Sequence, residues 1–297
     1  MVRRRIKEYF EKTKHRSDSV KTATTKKQVR AKRLAILIIF SIVFSVYAIV
    51  NANEKKKRRA EKVDFVNQMY ESMAQKPGYT LRYSLDTVYN VNHKKVELHY
   101  STIEEVDKAG KKKKMTMRTY GDYMGTEMDM LQIYYYQDTK CILETVYTDD
   151  NGEEQHKYKV TTEDISYDYN PMLALALVVT EQPGEFAKAK TTIRGSVSLK
   201  DVDTFLTLSP YGNLYKGMEN LSCYKEQANN LMITSDGNVF REAVLDMTVT
   251  SFYMLKDAYE EQGLPVSIDS YRISVSAESW DTPVIEIPEI EVKEESK

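Results

Sequence analysis

Few residues in this chain could do chemistry. Beyond the N-terminal tail the histidines are His93, His99 and His156. A metal site needs two or three such side chains to converge with carboxylates or thiols, and the sequence contains no HxH or HExxH spacing. His93 precedes Lys94 and Lys95 in a turn pattern, and His99 sits on the polar register of an alternating segment. The two cysteines, Cys141 and Cys223, permit one disulfide or stand as separate buried thiols. No G-x-S-x-G elbow offers a serine nucleophile. With 11 Gly in 297 residues there is no Gly-rich phosphate loop. The adjacent acids Glu104-Glu105 and Glu153-Glu154 read as solvated turn residues. On a strand such neighbours would point to opposite faces and could not share a proton. The expectation is a non-catalytic protein with neither metal nor cofactor.

One stretch has another character. Residues 115–136 concentrate Met and Tyr, which together make an adaptable apolar surface. Met115, Met117, Tyr123, Met128, Tyr134 and Tyr136 are the candidate apolar ligand-binding residues, with ordinary sheet core as the competing role.

Residues 34–50, LAILIIFSIVFSVYAIV, carry no charge, no Gly and no Pro, and the uncharged run reaches Asn53. A helix of about 20 residues covers the roughly 30 Å hydrocarbon core of a bilayer. The run exceeds the apolar part of a cleaved signal peptide, although Val50-Asn51-Ala52 resembles a cleavage site. The expected organisation is a basic cytoplasmic tail (1–33), a transmembrane helix (34–53), a juxtamembrane amphipathic helix (54–76), an extracytoplasmic β-rich domain (77–288) and an acidic tail (289–297). Basic residues flank the run on both sides, so the local positive-inside comparison is a tie. The wider tail decides the orientation. Residues 1–33 carry a net charge of +10 and residues 63–297 a net of −15, and a basic tail suits the anionic cytoplasmic leaflet. That juxtamembrane position explains the tail's charge without nucleic acid as a partner.

The folded part reads as sheet. It carries most of the 22 Tyr, a residue that favours strands. Val63, Val66, Tyr70 and Met73, with Met69, form a helical stripe that Pro77-Gly78 ends. Alternating segments follow, with tight-turn signals at 149–152 and 235–238. Residues 123–130 and 131–137 read as two strands, and 240–253 as one long return strand. Residues 172–179, MLALALVV, fit a buried strand or a helix, and Ser198 with Asp201 fits a helix cap. Residues 190–198 and 221–225 read as strands, and 283–288 as a Pro-bounded edge segment. The fold class is α+β: a transmembrane helix, then a curved, unclosed antiparallel half-barrel packed on a few helices.

Three stretches carry a family resemblance. They are Met69-Tyr70-Glu71-Ser72-Met73 with residues 79–85, the hairpin LMITSDGNVFREAVLDMTV (231–249), and residues 270–277 followed by VIEIPEIEV (284–292). Over about residues 60–292 the chain resembles the lipoprotein-carrier, LolA-like superfamily of bacterial envelope proteins. That resemblance implies a half-barrel enclosing an apolar cavity for a lipid or acyl chain. A membrane helix stands where the better-known members have a cleaved signal or lipid anchor, so such a carrier would act at its own membrane. The other reading is an anchored component of an envelope or secretion complex, with a filled core and protein partners.

Overall fold

The computed structural model describes residues 41, 43–149, 151–163, 165, 167, 171–215, 227–260 and 262–290. The chain divides into two units, residues 1–58 and 59–297. In the first, residues 41 and 43–58 are helical, and Val43, Phe44, Val46, Tyr47, Ile49 and Val50 are each more than half exposed. No helix among the described residues is long and apolar enough to cross a membrane. The tail 1–33, and residues 34–40 and 42 of the expected span, lie outside the described residues.

The second unit is α+β, built on one antiparallel sheet. After helix α1 (residues 59–74) come β1 (Gly78–Val91), β2 (Lys94–Asp107), β3 (Lys112–Tyr123), β4 (Thr126–Gln137), β5 (Lys140–Thr148) and β6 (Glu154–Thr162). Helix α2 (Pro171–Glu181), β7 (Phe186–Ala189), β8 (Thr192–Ser198) and helix α3 (Leu199–Leu208) follow. A 3-10 turn (Gly212–Tyr215), β9 (Ala228–Asp236), β10 (Val239–Asp246), helix α4 (Thr248–Glu260) and β11 (Val266–Ser279) complete it. The strand order is β6-β5-β4-β3-β2-β1-β11-β10-β9-β8-β7, and the sheet does not close. Each half is a sequential meander, and β1 against β11 is the seam between them.

Period-two alternation gives the sheet two distinct faces. On the inner face Tyr79, Leu81, Tyr83 and Leu85 of β1 continue through Ile273 and Val275 of β11 and Ala243 and Leu245 of β10 to Leu231 and Ile233 of β9. Val66, Met69 and Met73 of α1, Leu175 and Val179 of α2, and Val202, Phe205 and Leu206 of α3 fill that side into one core. Helix α3 is started by a capping box: the Ser198 hydroxyl accepts from the Asp201 N–H, and the Asp201 carboxylate accepts from the Ser198 N–H.

Several expectations need correction. The return strand stops at Asp246, because its carboxylate accepts from the Thr248 N–H (3.1 Å) and hydroxyl (2.8 Å), starting α4 where the strand was read to 253. Helix α4 then packs on β11 and β9. The strand break falls at Met124-Gly125, both with positive φ (55° and 93°), so β3 and β4 meet in a two-residue hairpin. The 172–179 run is helical. Residues 190–198 supply β8 only from Thr192. Tyr70 is exposed, and α1 buries Val66, Met69 and Met73 instead. Residues 282–290 form no strand, although Ile285 is buried and its carbonyl accepts from Lys112. Residues 221–225 and 291–297 lie outside the described residues.

Candidate interaction surface

The helices pack on β8, β9 and β11. The β3–β6 half is different. β3 buries one residue, Thr119, β4 one, Tyr136, and β6 none, while β5 buries Cys141, Ile142 and Glu144. Register places all six candidate residues on the inner face of this bare half. Met115 pairs with Tyr134, Gly121 with Met128 and Lys113 with Tyr136, while Met117 and Tyr123 continue the odd-numbered face of β3. The rings of Tyr134 and Tyr136 stack with centroids 6.3 Å apart. Only Tyr136 is buried; Met115, Met117, Met128 and Tyr134 are half-buried and Tyr123 is exposed.

Two clefts open on the opposite, outer face, and none of those six residues lines them. The first, about 620 Å³, crosses β1–β6 above Ile103, Leu131 and Val146, with Arg82, Arg118 and Asp129 among its polar walls. The second, about 680 Å³, crosses β8–β11 and includes Arg194, Glu242, Asp246 and Arg272. Both are bordered by a cross-strand row that register lines up as Asp246, Arg272, Asp86, His99, Tyr120 and Asp129. Arg272 reaches Asp246 at 3.2 Å, and His99 Nδ1 lies 2.7 Å from Asp86. The His99 and Tyr120 rings stack at 5.2 Å. Arg118 donates two bonds to Asp129, at 2.9 and 2.7 Å, and so holds that carboxyl below its usual range. Arg82 pairs with Glu278 at 2.5 Å. The row's cations are thus matched by acids, which leaves it without a net anion-binding field.

Among the described residues two acids are buried. Glu104, read from sequence as a solvated turn residue, lies inside β2 on the inner face. It accepts from the Tyr83 hydroxyl (2.8 Å) and is ion-paired with Lys113. Burial, reinforced by Glu104, pushes the Tyr83 phenol well above its ordinary value. Glu144 of β5 is the outer-face counterpart, with its side chain 8 % exposed. Tyr135 of β4 donates to its Oε2 at 2.9 Å, and Tyr158 of β6 to its Oε1 at 2.9 Å. His156 Nδ1 lies 2.7 Å from Oε1, and its Nε2 lies 3.2 Å from Glu154. Burial works to raise the Glu144 carboxyl, but the bonds from His156, Tyr135 and Tyr158 outweigh it and hold the group below its ordinary value. The same bond from Glu144 raises His156 against a smaller desolvation effect. This clasp ties the outermost strand of the bare half, β6, to the two strands inside it.

The sequence signal for the clasp was present but indirect. Folding β5 onto β6 about the 149–152 turn puts Glu144 opposite Tyr158 and Val146 opposite His156. Tyr135 joins only through the separate β4–β5 register.

Among the described residues no cluster of three or more His, Cys, Asp or Glu side chains is arranged to hold a metal ion. Cys141 is a free, buried thiol, pushed up by its burial. Cys223, and with it the bridge between the two, lies outside the described residues. The chain matches no protein-family model and no curated protein sequence.

Proposed function

We propose that this is a non-catalytic interaction protein, anchored in the cell membrane by residues 34–53, whose bare β3–β6 half recruits a protein partner on the extracytoplasmic side. One observation carries the reading: a single sheet is filled and covered by helices along one half, while the other half has no helical layer and buries few side chains outside β5. An open, partly apolar sheet ending in an unpaired strand is a surface built for another molecule. The uncharged 34–53 run and the exposed apolar side chains of residues 43–50 support the anchor. The charge difference between tail and domain supports the orientation.

The test is a photo-cross-linking residue placed in the native membrane at exposed positions of the two halves. Tyr123 and Tyr147 sample the bare half; Leu208 and Val249 sample the helices. Discrete protein adducts are expected from the first pair and none from the second. Adducts spread evenly over all four, or missing from Tyr123 and Tyr147, would refute the reading.

A second reading keeps a lipid or acyl chain as the ligand, as the lipoprotein-carrier resemblance implies. It is favoured by the placement of Met115, Met117, Tyr123, Met128, Tyr134 and Tyr136 on one half-buried face. Native mass spectrometry would then detect co-purifying lipid that Met117→Glu abolishes. A protein that takes up no added lipid would exclude this reading and leave the first intact.

A further inference from the structure

We propose that the free edge of β6 is a strand-addition site for an extended partner segment whose side chains alternate acidic and apolar. The proposal rests on the interaction reading above and names the chemistry of its partner. β6 ends the sheet, and among the described residues no strand pairs with its far side. Its nine residues, Glu154–Thr162, therefore offer a row of backbone donors and acceptors to an added strand.

The side chains define what such a strand must carry. On the inner face Lys157 and Lys159 stand two residues apart, both exposed. Their β5 neighbours are Thr145 and Leu143, neither of which carries a charge. On the outer face Tyr158 and Val160, 41 % and 36 % exposed, lie beside Glu144 and Ile142. Glu144 is engaged by the three bonds of its clasp, so at positions 158 and 160 that face offers the partner an aromatic ring and a branched aliphatic side chain. Successive residues of a strand point to opposite faces. Over Lys157–Val160 a segment laid along β6 thus meets cations at one parity and apolar groups at the other, flanked by the polar Glu154, Gln155, His156, Thr161 and Thr162. Its complement reads acid, apolar, acid, apolar, with each opposed charge pair contributing roughly 1.5- to 5-fold in affinity.

A second copy of this chain is the poorer occupant. Antiparallel self-pairing centred on Tyr158 would set Lys157 directly against Lys159, and like charges in that position repel. The clasp adds pre-organisation: β6 is held by His156 and Tyr158 before any partner arrives, so less ordering remains to oppose binding.

The experiment uses the full chain in nanodiscs and two labelled synthetic nonapeptides, one alternating glutamate with valine and one alternating lysine with valine. Fluorescence anisotropy is expected to show the glutamate peptide binding at least tenfold tighter, with the preference shrinking as salt rises. The double variant Lys157→Glu, Lys159→Glu, at exposed positions that leave the fold unchanged by circular dichroism, should reverse the order. Binding of neither peptide, equal binding of both, or a preference that survives the charge reversal would each overturn the proposal. If it fails while cross-links still concentrate at Tyr123 and Tyr147, the interaction reading stands and only the strand-addition site is lost. If the cross-links fail as well, both fall.

Discussion

The two halves of the sheet use the same alternation to different ends. In β8–β11 and β1 the inward positions are Leu, Ile, Val, Ala and Tyr, nearly all fully buried, and helices supply the opposing layer. In β3–β6 the inward positions are mostly Met, Tyr, Thr and Lys, and apart from Thr119, Tyr136 and Cys141 they stay partly or fully exposed. The first half is held by a packed apolar layer. The second is held by backbone ladders and by polar anchors such as Glu144. Alternation alone therefore does not say whether a sheet face is core; the residue types at the inward positions do, because only aliphatic and fully apolar faces gain enough from a covering helix.

The sharpest way to break this comparison is to truncate one side chain in each half. Phe205→Ala, in the helix layer, should cost about 3–5 kcal/mol by urea unfolding. Met117→Ala, on the half-buried face, should cost less, about 1–2 kcal/mol, because its side chain is only partly removed from water and the space left opens to solvent. Equal costs would mean that the bare half is packed after all. Next in size is Glu144→Ala, which orphans two tyrosines and a histidine and should cost about 2–3 kcal/mol. Its effect should be local: hydrogen exchange of β6 amides should accelerate while those of β1 and β11 remain protected. Uniform acceleration would show that the two halves unfold as one.

Ser198→Ala removes the cap of α3 and should lower stability by about 1 kcal/mol, with no effect on β6 exchange. The smallest expected effect is the pH response of the clasp. Glu144 titrates lower in the folded chain than its ordinary 4.5, so its contribution is present above that value and is lost as pH falls through the folded one. His156 titrates higher than its ordinary 6.5, so its contribution is complete below that value and is lost as pH rises through the folded one. Protection of β6 should therefore be greatest between about 4.5 and 6.5, and His156→Gln should remove the loss on the alkaline side. A β6 exchange profile that is flat across this range would refute the coupling.

Much of the fold was legible because turns and alternation are local. Gly237-Asn238 closes the β9–β10 hairpin where the sequence placed it, and the Ser198–Asp201 cap is where its spacing put it. What escaped was non-local or was set by a single competing bond. Helix α4 begins because one carboxylate, Asp246, takes the next free backbone N–H, an outcome that the strand-favouring Thr, Val, Phe and Tyr residues through 253 conceal. Glu104 looked solvated because its partners, Tyr83 and Lys113, sit on two other strands. The Met and Tyr residues that the sequence groups do lie on one face. Their shared face became visible only once the Met124-Gly125 turn fixed the β3–β4 register, since a shift of one residue would have turned half of them away.

The β1–β11 seam also fixes an order of events. As the chain is synthesised, β1 to β6 can zip hairpin by hairpin, each step closing only a short loop, and β7 to β10 can pair in turn once the longer connection through α3 brings β9 to β8. The two meanders cannot join until β11, the last strand to emerge, lies against both β10 and β1. Until that moment β1 is a fourteen-residue exposed edge, and the core is without Ile273 and Val275 of β11. A chain cut short before residue 266 would keep most of its strands and still lack its keystone, so premature termination or early proteolysis should yield an aggregation-prone fragment rather than a smaller working protein.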